Sequence, residues 1–109
     1  MATTFKNKVI KEVGLEPVLA IETNAGTRST IIGLSLANLT EFPVYASVLV
    51  NDDTSVQGYY LKDVLVPPNT SLRALSAGEK LILAPLNQLY LVADVDESLD
   101  AVISYVDIV

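Results

Sequence analysis

Apolar residues in this chain come in short runs, and each run is cut by a charge, Pro, Gly or Asn within about ten residues. That punctuation limits the fold more than any other feature. Inside the runs the period is two. Ile32, Leu34 and Leu36 alternate with Gly33, Ser35 and Ala37, and Val44, Ala46, Val48 and Val50 are in phase. A period of two in Val, Ile, Thr and Tyr reads as strand. The strands expected are residues 16–23, 28–39, 42–50, 57–66, 71–76, 80–84, 88–95 and 100–109. Turns separate them at Asn24-Ala25-Gly26, where Gly can take positive φ, at the polar cluster 51–55, and at Pro67-Pro68-Asn69. Further turns are expected at Ala77-Gly78-Glu79, at Pro85 and in the acidic loop 96–99. Only residues 5–13 could form a helix, and an extended arm with Val9, Val13 and Leu15 in contact reads equally well.

Short strands at regular spacing, without crossover helices, exclude a parallel α/β sheet. The expected fold is all-β: a single antiparallel β-sandwich, Greek-key-like, of about eight short strands with an N-terminal arm or short helix. The division expected is an arm over 1–15 and a sandwich over 16–109. The chain of 109 residues has room for one core.

Half of the residues are apolar, only 18% are charged, and the mean hydropathy is +0.42. An ordinary soluble domain carries about a quarter charged residues, so an apolar surplus has to be covered. No run approaches the roughly 20 residues of a spanning helix, and the lysines at 6 and 8 precede no apolar segment of the secretory kind. No membrane partner is expected. The remaining cover is another subunit. Several strands are apolar on both faces: Leu89, Leu91 and Val95 oppose Tyr90 and Val92, and Val102, Val106 and Ile108 oppose Ile103 and Tyr105. A sandwich buries one face of each sheet. The candidate interface is therefore Phe5, Val9, Ile10, Val13, Tyr90, Val92, Ile103 and Tyr105. The arm is expected to reach a neighbouring chain, so that its removal leaves the domain folded. The last strand is expected inside a sheet, with Ile103 and Tyr105 against loops or a partner.

The chain has neither Cys nor His, which removes disulfides, thiolate and imidazole chemistry and the usual zinc ligands. Net charge is −6, and the one basic cluster, Lys6, Lys8 and Lys11, runs straight into Glu12 and Glu16. That is no footprint for nucleic acid. Residues 94–100 open like a calcium loop, with oxygen donors at offsets one, three and five. Leu99 then stands where Gly is needed and Tyr105 where the bidentate Glu is needed, so the stretch reads as a turn. Asn51, Asp52 and Asp53 read as a hairpin tip. The glycine loops at 24–27 and 76–79 lack a phosphate-cradle pattern. Tyr45, Tyr59, Tyr60, Tyr90 and Tyr105 could make a sugar platform, although tyrosine is ordinary strand composition. No enzyme, catalytic residue, metal site or cofactor is expected.

The order of segments carries a resemblance. Val9-Ile10-Lys11-Glu12-Val13-Gly14 is followed by Arg28-Ser29-Thr30-Ile31-Ile32-Gly33-Leu34-Ser35-Leu36-Ala37-Asn38 and then a Val-rich strand. Next come Tyr60-Leu61-Lys62-Asp63-Val64-Leu65-Val66-Pro67, Ser71-Leu72-Arg73, Glu79-Lys80-Leu81-Ile82-Leu83 and Ser98-Leu99-Asp100-Ala101-Val102-Ile103-Ser104-Tyr105. Over nearly its whole length the chain resembles a family of small virion structural proteins of tailed bacteriophages, about 110 residues long. The resemblance implies a β-sandwich accessory component of the virion, present in many copies and contacting itself and other virion proteins at the head, neck or tail. It brings no site motif to transfer. The competing expectation is a receptor- or glycan-binding module of a fibre or tail, presenting loops such as 51–55.

Overall fold

The computed structural model describes residues 2–75 and 80–109. β-branched and aromatic residues at alternate positions favour the pleated backbone, and polar turn residues end each run. The strands are β1 (Thr3–Val13), β2 (Val18–Glu22), β3 (Arg28–Asn38), β4 (Val44–Asn51), β5 (Gln57–Val66), β6 (Ser71–Arg73), β7 (Leu81–Leu83), β8 (Gln88–Ala93) and β9 (Leu99–Ile108). No described residue is helical. The larger sheet has the order β1-β9-β3-β6, with β7 also on β3, and the smaller sheet has the order β2-β8-β4-β5. All pairings are antiparallel.

β6 pairs with residues 35–37 of β3 and β7 with residues 29–31, so the two share one strand position. The pairs then nest: β1 with β9, β2 with β8, β3 with β6 and β7, β4 with β5. One long antiparallel hairpin rolled into a double sheet has this nesting, which is the jelly-roll form of the Greek key. The expected antiparallel sandwich is the fold observed.

Ile31, Leu34, Leu36, Leu83, Ala101 and Ile103 of the larger sheet meet Val44, Ala46, Val48, Val66, Leu89 and Leu91 of the smaller. With no disulfide to help, this layer holds the sheets together, each fully buried Leu or Ile contributing about 1.5–3 kcal/mol. Buried Asn38 closes the β3–β4 corner. Its Nδ2 donates to the Phe42 and Val66 carbonyls at 2.7 and 3.0 Å, and its Oδ1 accepts from the Thr40 amide at 2.8 Å.

Four expectations are corrected. Residues 3–13 are neither a helix nor a free arm: they pair with β9 from Thr3–Ile108 to Val13–Leu99 and place Ile10 and Val13 in the core. No boundary therefore falls between 1–15 and 16–109. The open edge of an apolar β9 is satisfied by β1, while Lys6 and Lys8 on its inner side sit beyond the smaller sheet and stay in water. In β3 a bulge between Ile31 and Gly33 puts Ile31, not Ile32, in phase with Leu34 and Leu36. In β9 the face expected to meet loops or a partner is the core face: Ile103 is fully buried and Val102 points out. The register Leu34–Ile103 and Leu36–Ala101 decides this, because a strand apolar on both faces does not. Lastly, Asn24 does turn the chain, its carbonyl accepting from the Thr27 amide at 3.2 Å, but Gly26 does not use the left-handed region. The turn expected at Ala77-Gly78-Glu79 lies outside the described residues.

Candidate interaction surfaces

Antiparallel register brings side chains from different strands into rows across a sheet. On the outer side of the larger sheet one row is Phe5, Val106, Thr30 and Ile82, the next Asn7, Ser104 and Gly33, and the third Val9, Val102, Ser35 and Arg73. The bulge pushes Ile32 out beside them. These residues are far from buried: Phe5 is 77% exposed, Ile82 64%, Val9 56%, Ile32 44% and Val102 43%. The middle row carries only small or short side chains, and a shallow groove of about 470 Å³ runs there, lined by Phe5, Asn7, Ile32 and Ser104 among others. Charges lie toward the ends of this face. Lys11 pairs with Asp100 at 3.4 Å toward one, and Arg28, opposite Ile108, stands at the other.

The outer side of the smaller sheet has a different chemistry. Leu19, Tyr90, Leu49 and Tyr59 form a row across all four strands. Beside it runs a polar row in which the Gln88 amide donates to Glu22 Oε2 at 2.6 Å. Gln88 Oε1 in turn accepts from the Tyr90 hydroxyl at 3.2 Å and from Asn51 at 3.4 Å. The Lys62 ammonium lies 5.4 Å from the Tyr59 ring centre. Tyr45, Asp63 and Asp94 line a shallow depression of about 280 Å³. Tyr60 and Tyr105 pack against the core instead, so the five tyrosines form no single platform.

Where the smaller sheet stops short, the inner sides of β1 and β9 are uncovered and a polar cleft of about 290 Å³ opens against β2. Within it Lys6 Nζ is 3.0 Å from Asp107 Oδ2, and the Ser29 hydroxyl donates to Asp107 Oδ1 at 2.5 Å. Burial pushes the Asp107 carboxyl up, but the Ser29 and Lys6 hydrogen bonds and the lysine charge outweigh it and hold it below the usual range. The Asp107 hydrogen bond and charge raise Lys6. Both groups are thus held in their charged forms, and the trio is a staple joining β1, β9 and β3.

The acidic loops are occupied with backbone. Asp94 Oδ1 accepts from the Tyr45 amide at 2.8 Å and Asp100 Oδ1 from the Glu12 amide at 2.9 Å. At the hairpin tip Asp52 Oδ1 accepts from the amides of Thr54 and Val56 and from the Thr54 hydroxyl, which lowers its carboxyl. Among the described residues no three His, Cys, Asp or Glu side chains are grouped so as to hold a metal.

The eight candidate interface residues are therefore dispersed. Phe5 and Val9 lie on the outer face of the larger sheet, and Tyr90 and Val92 lie half-buried on that of the smaller. Ile10, Val13 and Ile103 belong to the core, and Tyr105 packs against it. Ile32, Ile82 and Val102 were missed. Ile82 had a readable signal, since a strand with Leu81 and Leu83 facing in must turn it out; Ile32 depends on the bulge and gave none. Compared with family models, with curated proteins and with solved structures, the chain gives no match in any of the three.

Proposed function

We propose that this chain is a non-enzymatic structural component of a tailed phage particle, joining its neighbours through protein–protein contacts at the head, neck or tail. The observation that carries the reading is the outer face of the larger sheet. There Phe5, Val9, Ile32, Ile82 and Val102 stand in water around a shallow groove, and contiguous apolar patches of that kind mark contact surfaces. The nested sandwich agrees with it, since jelly rolls recur in viral coat and lectin domains. A fold alone does not fix a function, so the exposed face has the greater weight, together with the resemblance in segment order. The test is to purify particles of a tailed phage encoding this sequence and to quantify the chain by mass spectrometry and immunogold labelling. Stoichiometric amounts at a fixed position are expected; a chain absent from washed particles overturns the reading.

The second reading, a glycan-binding module, is favoured by Tyr45, Tyr59 and Tyr90 on one face beside the Glu22–Gln88–Asn51 row. Glycan-array binding abolished by Tyr59→Ala would replace the first reading with this one.

A further inference from the structure

We infer that the outer face of the larger sheet is covered by the same face of a second copy of this chain, the two sheets packing face to face about a two-fold axis. This rests on the reading of the chain as an assembling subunit and names the partner of that surface. Three observations select a copy of the chain.

The first is area. β1, β9 and β3 run 11, 10 and 11 residues. With β6 and β7 as a fourth position, the face measures roughly 35 × 19 Å, or about 700 Å². Two copies would bury about 1,400 Å², inside the roughly 1,200–2,000 Å² of a stable interface.

The second is shape. A two-fold contact requires one patch to offer both the projection and its receptacle. This face does so: Phe5 stands out at one side of a groove floored by Asn7 and Ser104.

The third is charge. Two chains of net charge −6 repel each other over most of their surfaces. On this face Asp100 is already paired with Lys11, and Arg28 and Arg73 add positive charge beside exposed Glu12. The outer face of the smaller sheet instead carries three carboxylates, Glu22, Asp63 and Asp94, against the Lys62 ammonium over Tyr59, so like-charge repulsion disfavours it as the self-contact. Edge-to-edge joining through β1 is opposed as well. Inward-pointing lysines on an edge strand, here Lys6 and Lys8, obstruct addition of a further strand.

The experiment is sedimentation equilibrium on the full chain, with circular dichroism to monitor the fold. The parent is expected to be a dimer. Ile82→Glu and Val102→Glu, made separately, should weaken it at least about 100-fold, about 3 kcal/mol of dimerisation free energy in all, and keep the parent's spectrum. Ile82 is itself exposed on a short edge strand, so its variant stays informative if Val102→Glu does not fold. Leu65→Glu, on the outer face of the smaller sheet, should leave the dimer intact. A monomeric parent overturns the inference, as does a dimer unaffected by Ile82→Glu or one broken by Leu65→Glu. Particle composition is measured independently: a monomer found on particles would overturn the self-contact and leave the structural role standing.

Discussion

Gly14 is held to its identity by space. A Cβ there would lie 2.6 Å from Asp96 Oδ1 and 2.8 Å from the Glu97 amide nitrogen. The carboxylate can swing away; the backbone cannot, because this corner is tied by Ala93 donating to the Gly14 carbonyl at 2.8 Å and Ser98 to that of Val13 at 2.9 Å. Gly14→Ala is therefore expected to destabilise the fold by about 1–3 kcal/mol, read as a lower urea midpoint. The Lys6–Asp107–Ser29 staple makes stability depend on pH with a definite sign. The folded Asp107 pKa is depressed, so its contribution is present above 3.8 and is lost as pH falls through the lower folded value. The folded Lys6 pKa is raised, so its contribution is complete below 10.5 and is lost as pH rises through the higher folded value. Urea titrations of the parent and of Asp107→Asn should differ most near neutrality, converge toward about pH 2 and draw closer above about pH 11, where the Ser29 bond persists. A constant difference across that range would show that the staple does not titrate as a charged pair.

At the scale of elements, β1 shows how a strand with little apolar content belongs to a core. It contributes Ile10 and Val13 to the interior, and its larger service is to pair the backbone of β9 along nearly its full length. Deleting residues 2–12 should therefore destabilise the domain, contrary to what a detachable arm would give. Loss of the Ile10 side chain and exposure of the β9 edge are expected to lower the thermal midpoint by at least about 10 °C or to yield aggregate. Circular dichroism melts check this, and an unchanged midpoint would mean that β1 is dispensable. β9 itself lies between β1 and β3 as expected of a strand apolar throughout. Which of its faces looks inward was not legible, since Val102 and Ile103 are chemically equivalent choices until the register with β3 selects one.

Across the whole molecule, the nested pairing sets the folding kinetics. The first strand pairs with the last and the second with β8, so long loops must close before these contacts form. Refolding is expected on the order of 10 ms to seconds, as for other sandwiches dominated by non-local pairs; a sub-millisecond phase carrying the full amplitude in stopped-flow fluorescence would contradict it. The same nesting leaves the outer sides of both sheets outside the core. The larger sheet presents an apolar groove and the smaller presents tyrosines beside a hydrogen-bonded polar row, so the two faces differ in chemistry.

The amino-acid order by itself determined the class of fold, because runs with a period of two between Gly, Pro, Asn and Asp turns permit little besides antiparallel strands. It also determined that apolar surface exceeds what one small core can hide. Tertiary structure decided the phase and the partners of each strand. Ile32 faces out because a bulge in β3 shifts its neighbours, Ile103 faces in because β3 pairs it with Leu34, and residues 3–13 join the sheet because β9 has an edge to fill. A local pattern can state that a strand has two apolar faces, but only pairing with residues far along the chain chooses which one is buried.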